Sequence, residues 1–173
     1  MVLGIDPGIA NLGWALVGAA GDLHSFEHVE TERTAQRGDA SIRLARILRA
    51  LRAPLAHASV VCIEWPGFGG ARVAGKMNAL AASQTAAAAA AALGLAIGQG
   101  GRRKILAPAP VTWRSKLGAK RGRDAELHAA FLARYPILAD LRKGAQPHVL
   151  DAVGLALYGI KALNLTAPMQ GAA

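Results

Sequence analysis

The chain has 173 residues, one cysteine, 20 Lys+Arg against 11 Asp+Glu, and a formal charge of +9. The length suits one compact domain with a real core, and a single cysteine excludes a disulfide scaffold or a cysteine-based zinc site. Eight of the basic residues, and no acid, fall between Arg102 and Arg123, leaving 12 basic residues against 11 acids elsewhere. So local an excess points to a nucleic-acid backbone as partner.

Val2–Asp6 reads as a short apolar strand, followed by the turn signal Pro7-Gly8. Gly13–Gly18 and Leu23–Thr31 read as two further strands, with Ala20-Gly21-Asp22 as their hairpin turn. Asp39–His57 carries Leu44, Ile47, Leu48, Leu51 and Leu55 at helical spacing, with Arg43, Arg46, Arg49 and Arg52 on other faces. Ser59–Glu64 is rich in β-branched residues and reads as a buried strand, its Cys62 a core thiol. The glycine-rich Pro66–Gly75 reads as a loop, and Lys76–Ile97 as a long helix. The alanine run Ala86–Ala92 allows close packing, against the sheet or a second subunit. Lys104–Ala107 reads as a fifth strand, Asp124–Tyr135 as a helix, and Pro147 starts a last helix running to about Leu163.

The expected fold class is therefore α/β: a five-stranded mixed sheet, with a three-strand antiparallel meander and a parallel part, flanked by helices. Residues 1–165 form a single domain, and 166–173 read as a disordered tail. The apolar stretch Ala86–Gly98 is too short to span a bilayer. No signal peptide is visible, so no membrane association is expected and a cytoplasmic location is. Gly98-Gln99-Gly100-Gly101 lacks the order of a phosphate-binding loop, so no nucleotide cofactor is expected.

Three acids stand in apolar surroundings. Asp6 closes VLGID, Glu64 closes VVCIE, and Asp151 is embedded in HVLDAVGLAL. A carboxylate so placed must be hydrogen-bonded, paired or bound to a metal. Each has a structural alternative: a turn cap for Asp6, an arginine partner for Glu64, partial exposure for Asp151. If the two strands are neighbours, Asp6 and Glu64 emerge at one sheet edge. His148 and Asp151, three apart, share a helix face. The four could converge on divalent cations, and Mg²⁺ and Mn²⁺ favour such oxygen ligands. Beside a basic segment, that arrangement suits metal-dependent phosphodiester cleavage.

Asp6-Pro7-Gly8 with Leu12-Gly13-Trp14-Ala15, Ile63-Glu64, and Asp151-Ala152-Val153-Gly154-Leu155-Ala156 together resemble the RuvC family of Holliday-junction resolvases, over roughly residues 1–163. The resemblance fits a phage or a divergent bacterial member. It implies a ribonuclease-H-like fold, a homodimer, and paired Mg²⁺-dependent nicks in a four-way DNA junction. It places Asp6, Glu64 and Asp151 on the family's catalytic, metal-holding carboxylates. His148 falls where many members carry a fourth carboxylate and some a histidine. Imidazole suits Mn²⁺ better than Mg²⁺, so Mn²⁺ is expected to support activity at least as well. Two ions per site are implied, with 5′-phosphate and 3′-hydroxyl products. Phe68, in the loop after Glu64, is the candidate for stacking on a junction base. Lys76, Arg114, Lys116, Lys120, Arg121 and Arg123 are the expected phosphate-contacting residues. The location implied is cytoplasmic and nucleoid-associated, or the host cytoplasm for a virus-encoded protein.

The alternatives are a related metal nuclease acting on branched phage DNA or RNA–DNA hybrids, a non-catalytic junction-binding protein, and an actin-like or sugar-kinase ATPase. The last opens with a similar D-x-G turn but needs two such domains to enclose ATP.

Overall fold

The computed structural model describes residues 1–32, 38–65, 76–98, 103–119 and 124–165, without the side chains of 76–83. The strands are β1 (Val2–Asp6), β2 (Asn11–Val17), β3 (Leu23–Glu30), β4 (Val60–Ile63) and β5 (Lys104–Leu106). The α-helices are α1 (Asp39–His57), α2 (Lys76–Gly98), α3 (Pro110–Lys116), α4 (Asp124–Arg134) and α5 (Gln146–Ala162), with a 3₁₀ turn at Pro136–Asp140. The sheet order is β3-β2-β1-β4-β5. β1 pairs antiparallel with β2 and β2 with β3, while β1–β4 and β4–β5 are parallel. The expected mixed sheet, meander plus parallel part, is the one observed.

Strand periodicity divides the core in two. Leu3, Ile5, Leu12, Trp14, Leu16, Val61 and Ile63 face one side, where α1 contributes Ile47, Leu51 and Leu55 and α2 contributes Ala88, Ala89, Ala92 and Ala96. Val2, Ala15, Val17, Val60 and Cys62 face the other, packing against α5, with Trp113 of α3 and Leu127 and Phe131 of α4 outside it. The alanine run thus packs partly on the chain's own core, and Ala87 and Ala90 remain exposed. Burial pushes the Cys62 thiol up to about 12, which keeps it protonated and inert.

Three differences from the sequence reading stand out. Arg43 is buried, not on a solvent face as Arg46, Arg49 and Arg52 are. It precedes Ile47 by one turn and so shares the Ile47–Leu51–Leu55 stripe. Its guanidinium is satisfied by Thr31 Oγ1 at 2.9 Å and by Asp39 at 3.6 Å. The second difference is α3, in a stretch after the fifth strand to which the sequence reading assigns no element; Pro110 starts it, since a helix's first turn needs no N–H from proline. The third is β2, which begins at Asn11 rather than Gly13.

Candidate active site

Alternation along β1 decides where Asp6 points. Val2 and Gly4 face α5, so Asp6, two residues further, faces it too. Glu64 continues the series Val60, Cys62 in the same way. Ile5 pairs with Ile63 in parallel register, and the Glu64 N–H donates to the Ile5 carbonyl at 3.0 Å. Two carboxylates therefore leave neighbouring strands at one edge and on one face.

Helix α5 comes unusually close to this face. A methyl group at Gly4 would overlap the Ala152 carbonyl oxygen, and one at Gly13 would overlap the His148 carbonyl. Gly13 is the cross-strand partner of Asp6. Two missing side chains thus let the first turns of α5 settle directly over β1 and β2. His148 Nδ1 lies 2.7 Å from Asp6 Oδ2, and Asp151 follows on the same helix face. Gly154 admits α3 on the outer side, since a side chain there would collide with the Trp113 ring.

α3 and α4 complete the cluster. The Trp113 indole N–H donates to Glu64 Oε2 at 2.7 Å. Arg114 Nη2 donates to Asp151 Oδ2 at 2.8 Å and lies 3.9 Å from Glu64 Oε2. Its Nε is 3.6 Å from Asp124, within ion-pair range but too far for a hydrogen bond. His128 Nε2 is 2.8 Å from Asp151 Oδ1. His28 of β3 stacks on His148 with ring centroids 5.8 Å apart, and its Nε2 is 3.1 Å from Asn11 Oδ1. The side chains of Asp6, Glu64 and Asp151 are only 14%, 17% and 15% exposed.

Such crowding raises proton affinities. Burial pushes the Asp6 carboxyl up, against the hydrogen bond from His148, and the Asp151 charge adds to the rise. Burial also pushes Glu64 up to about 7, with the Asp6 charge acting in the same direction. His148 is raised, chiefly by its hydrogen bond to Asp6. His28 is lowered by burial and by the neighbouring His148. These acids repel one another in a space with little water, which is the electrostatic setting of a cation site.

The donor chemistry fits a hard divalent ion: three carboxylates and one imidazole. As the side chains stand, no three His, Cys, Asp or Glu groups among the described residues converge closely enough to hold an ion. Trp113 holds one oxygen of Glu64, and Arg114 and His128 hold the two oxygens of Asp151.

All four residues expected at a metal site, Asp6, Glu64, His148 and Asp151, lie at this edge. Arg114, expected to meet phosphate, is among them with its guanidinium in ion pairs, while Lys116 on the same helix is exposed. Phe68, Lys120, Arg121 and Arg123 lie outside the described residues, as do the Lys76 side chain and the 166–173 tail. Sequence reasoning missed Trp113, His128 and His28. Trp113 had a signal, as an aromatic with a polar edge inside the basic segment. His128 and His28 had none, because their places depend on how α4 and β3 pack.

No family model matches the sequence, and no curated protein does. Among solved structures, the chain is similar to Thermus thermophilus RuvC in complex with a Holliday-junction substrate, at 23% identity and a TM-score of 0.67. That match covers 95% of this chain and 96% of the other. A second Thermus thermophilus RuvC structure matches at 23% identity and TM-score 0.67, covering 95% of each chain. A Fowlpox virus resolvase bound to Holliday-junction DNA aligns at 16% identity and TM-score 0.49, over 94% of this chain and 99% of that one. The chain thus has the ribonuclease-H-like fold seen in the RuvC structures, along nearly its whole length.

Proposed function

We propose that this protein is a structure-selective endonuclease that resolves four-way DNA junctions by paired, metal-dependent nicks. The observation that carries the reading is the meeting of Asp6, Glu64, Asp151 and His148, from three separate elements, at one edge of the sheet. The solved neighbour bound to a Holliday junction shares this fold and supports the choice of substrate.

Asp6, Glu64, Asp151 and His148 would hold the ions, Mg²⁺ or Mn²⁺. When bound, two such ions supply Lewis acidity for water activation and for departure of the 3′ oxygen, giving 5′-phosphate and 3′-hydroxyl ends. The chain's own residues prepare that site. The 2.7 Å contact between His148 Nδ1 and Asp6 Oδ2 fixes how the imidazole and the carboxylate sit relative to each other. Trp113 holds one oxygen of Glu64 and so sets the carboxylate's orientation. His128 does the same for Asp151. The buried setting strengthens each of these interactions relative to water.

A four-way junction presents two equivalent scissile strands, and a two-fold homodimer matches that symmetry. The exposed side of α2, with Ala87, Ala90 and Ile97, is the face offered for the contact. The basic segment around Lys116 supplies the backbone affinity. No helix among the described residues is long and apolar enough to cross a membrane.

The test is one assay. The purified chain is incubated with labelled four-way junction, linear duplex, RNA–DNA hybrid and ATP, each with Mg²⁺ or Mn²⁺. Symmetric paired nicks in the junction are expected. Cleavage of the hybrid alone, or ATP turnover alone, overturns the reading.

A further inference from the structure

Arg114 is the one described residue whose cation touches two of the site's acids. Its Nη2 is 2.8 Å from Asp151 and 3.9 Å from Glu64, and its side chain is 22% exposed. A guanidinium between carboxylates of β4's edge and α5 compensates the charge that would otherwise push those acids apart. Its seat is nonetheless incomplete. The Nε is buried and makes no hydrogen bond, with the Asp124 carboxylate only at ion-pair distance. A buried donor left unmatched raises the cost of staying in place.

We infer that Arg114 is an internal counter-cation that exchanges with the divalent ion. Without metal it holds Glu64 and Asp151 together; on metal binding it gives up their oxygens. The inference rests on the proposed metal-dependent function and adds the competition. Charge accounts for the direction. One guanidinium neutralises about one of the site's negative charges, so a divalent ion entering beside it meets both repulsion and oxygens already engaged. Removing the guanidinium should therefore loosen the metal-free protein and tighten metal binding.

The experiment measures Mn²⁺ affinity calorimetrically, without DNA, for the full chain and for Arg114→Met, Arg114→Lys and Asp151→Asn. Thermal unfolding is recorded with and without the ion. Arg114→Met should bind Mn²⁺ about tenfold more tightly, the scale of one charge-assisted hydrogen bond. Its melting temperature should be lower than wild type without metal, and Mn²⁺ should raise it by more. Arg114→Lys carries the test if the methionine variant does not fold. Its shorter side chain holds the charge further from Asp151 and Glu64 than the guanidinium does, so its affinity should also rise. Unchanged or weaker Mn²⁺ binding in a folded Arg114 variant, with Asp151→Asn losing affinity, overturns the inference and leaves the function standing. No Mn²⁺ binding by the wild-type chain overturns both.

Discussion

His148 Nδ1 and Asp6 Oδ2 lie 2.7 Å apart, joining residues 142 positions distant in the chain. The contact exists because Gly13, opposite Asp6 on β2, leaves room for the His148 backbone. It ties the end of β1 to the start of α5, and with it the two halves of the acid cluster. Asp6→Asn should abolish junction cleavage while leaving binding within about twofold, since backbone contacts supply most of the affinity. Gel-shift and cleavage assays on the same preparation decide this. Failure of a folded variant to bind would contradict the separation of roles.

The close approach of α5 is sensitive to a single methyl group. Gly4→Ala places a Cβ into the Ala152 carbonyl, a backbone atom that cannot rotate away. The expected cost is about 1–3 kcal/mol or more of stability, as for other overpacked positions. Urea denaturation measures it. Cleavage should fall further than stability explains, because the shift displaces His148 and Asp151 together. Wild-type stability in Gly4→Ala would show that the helix has slack.

Metal-free stability should fall as pH rises. The folded state holds Glu64's proton up to about 7, against an ordinary value of 4.5, so between those values it binds more protons than the unfolded chain. Raised values for Asp6 and His148 act in the same direction. The stabilising contribution is therefore present at low pH and lost as pH passes about 7. For Glu64 alone it is on the order of 1–3 kcal/mol. Comparing wild type with Glu64→Gln at pH 5 and 8 isolates it. The variant should show the flatter profile, and identical profiles would contradict the assignment.

Manganese should support cleavage at least as well as magnesium, because His148 brings an imidazole to an otherwise carboxylate site. His148→Asp should move the preference toward Mg²⁺. Rates with each ion, for both proteins, give the ratio. A wild-type chain active in Mg²⁺ and silent in Mn²⁺ would remove His148 from the ligand set.

Junction binding should depend steeply on salt. Replacing Lys116, Lys120, Arg121 and Arg123 by Gln should reduce the log–log slope by about 0.9 for each phosphate that is no longer neutralised. Fluorescence anisotropy across a salt series reads this directly. An unchanged slope would take the segment out of the interface.

Much of the architecture was legible in the residues themselves. Val2–Asp6 and Asp39–His57 occupy the bounds read from period and turn signals, because local apolar spacing decides them. Asp6, Glu64 and Asp151 stood out because a carboxylate in an apolar run has few explanations. The charge of +9 likewise resolved into one basic segment and a nearly neutral remainder. Tertiary structure alone decided the rest. Arg43 reads in the sequence as lying on a face away from the apolar stripe, but it lies one turn before Ile47 and is buried with that stripe. Arg114 looked like one phosphate binder among several until α3 laid it between Glu64 and Asp151. His128 and Trp113 joined the site only because α3 and α4 pack over Gly154 and its neighbours on α5. Sequence periodicity reports which face of an element is apolar. Which charged groups meet depends on distances between elements, and here those were set by the missing side chains of Gly4, Gly13 and Gly154.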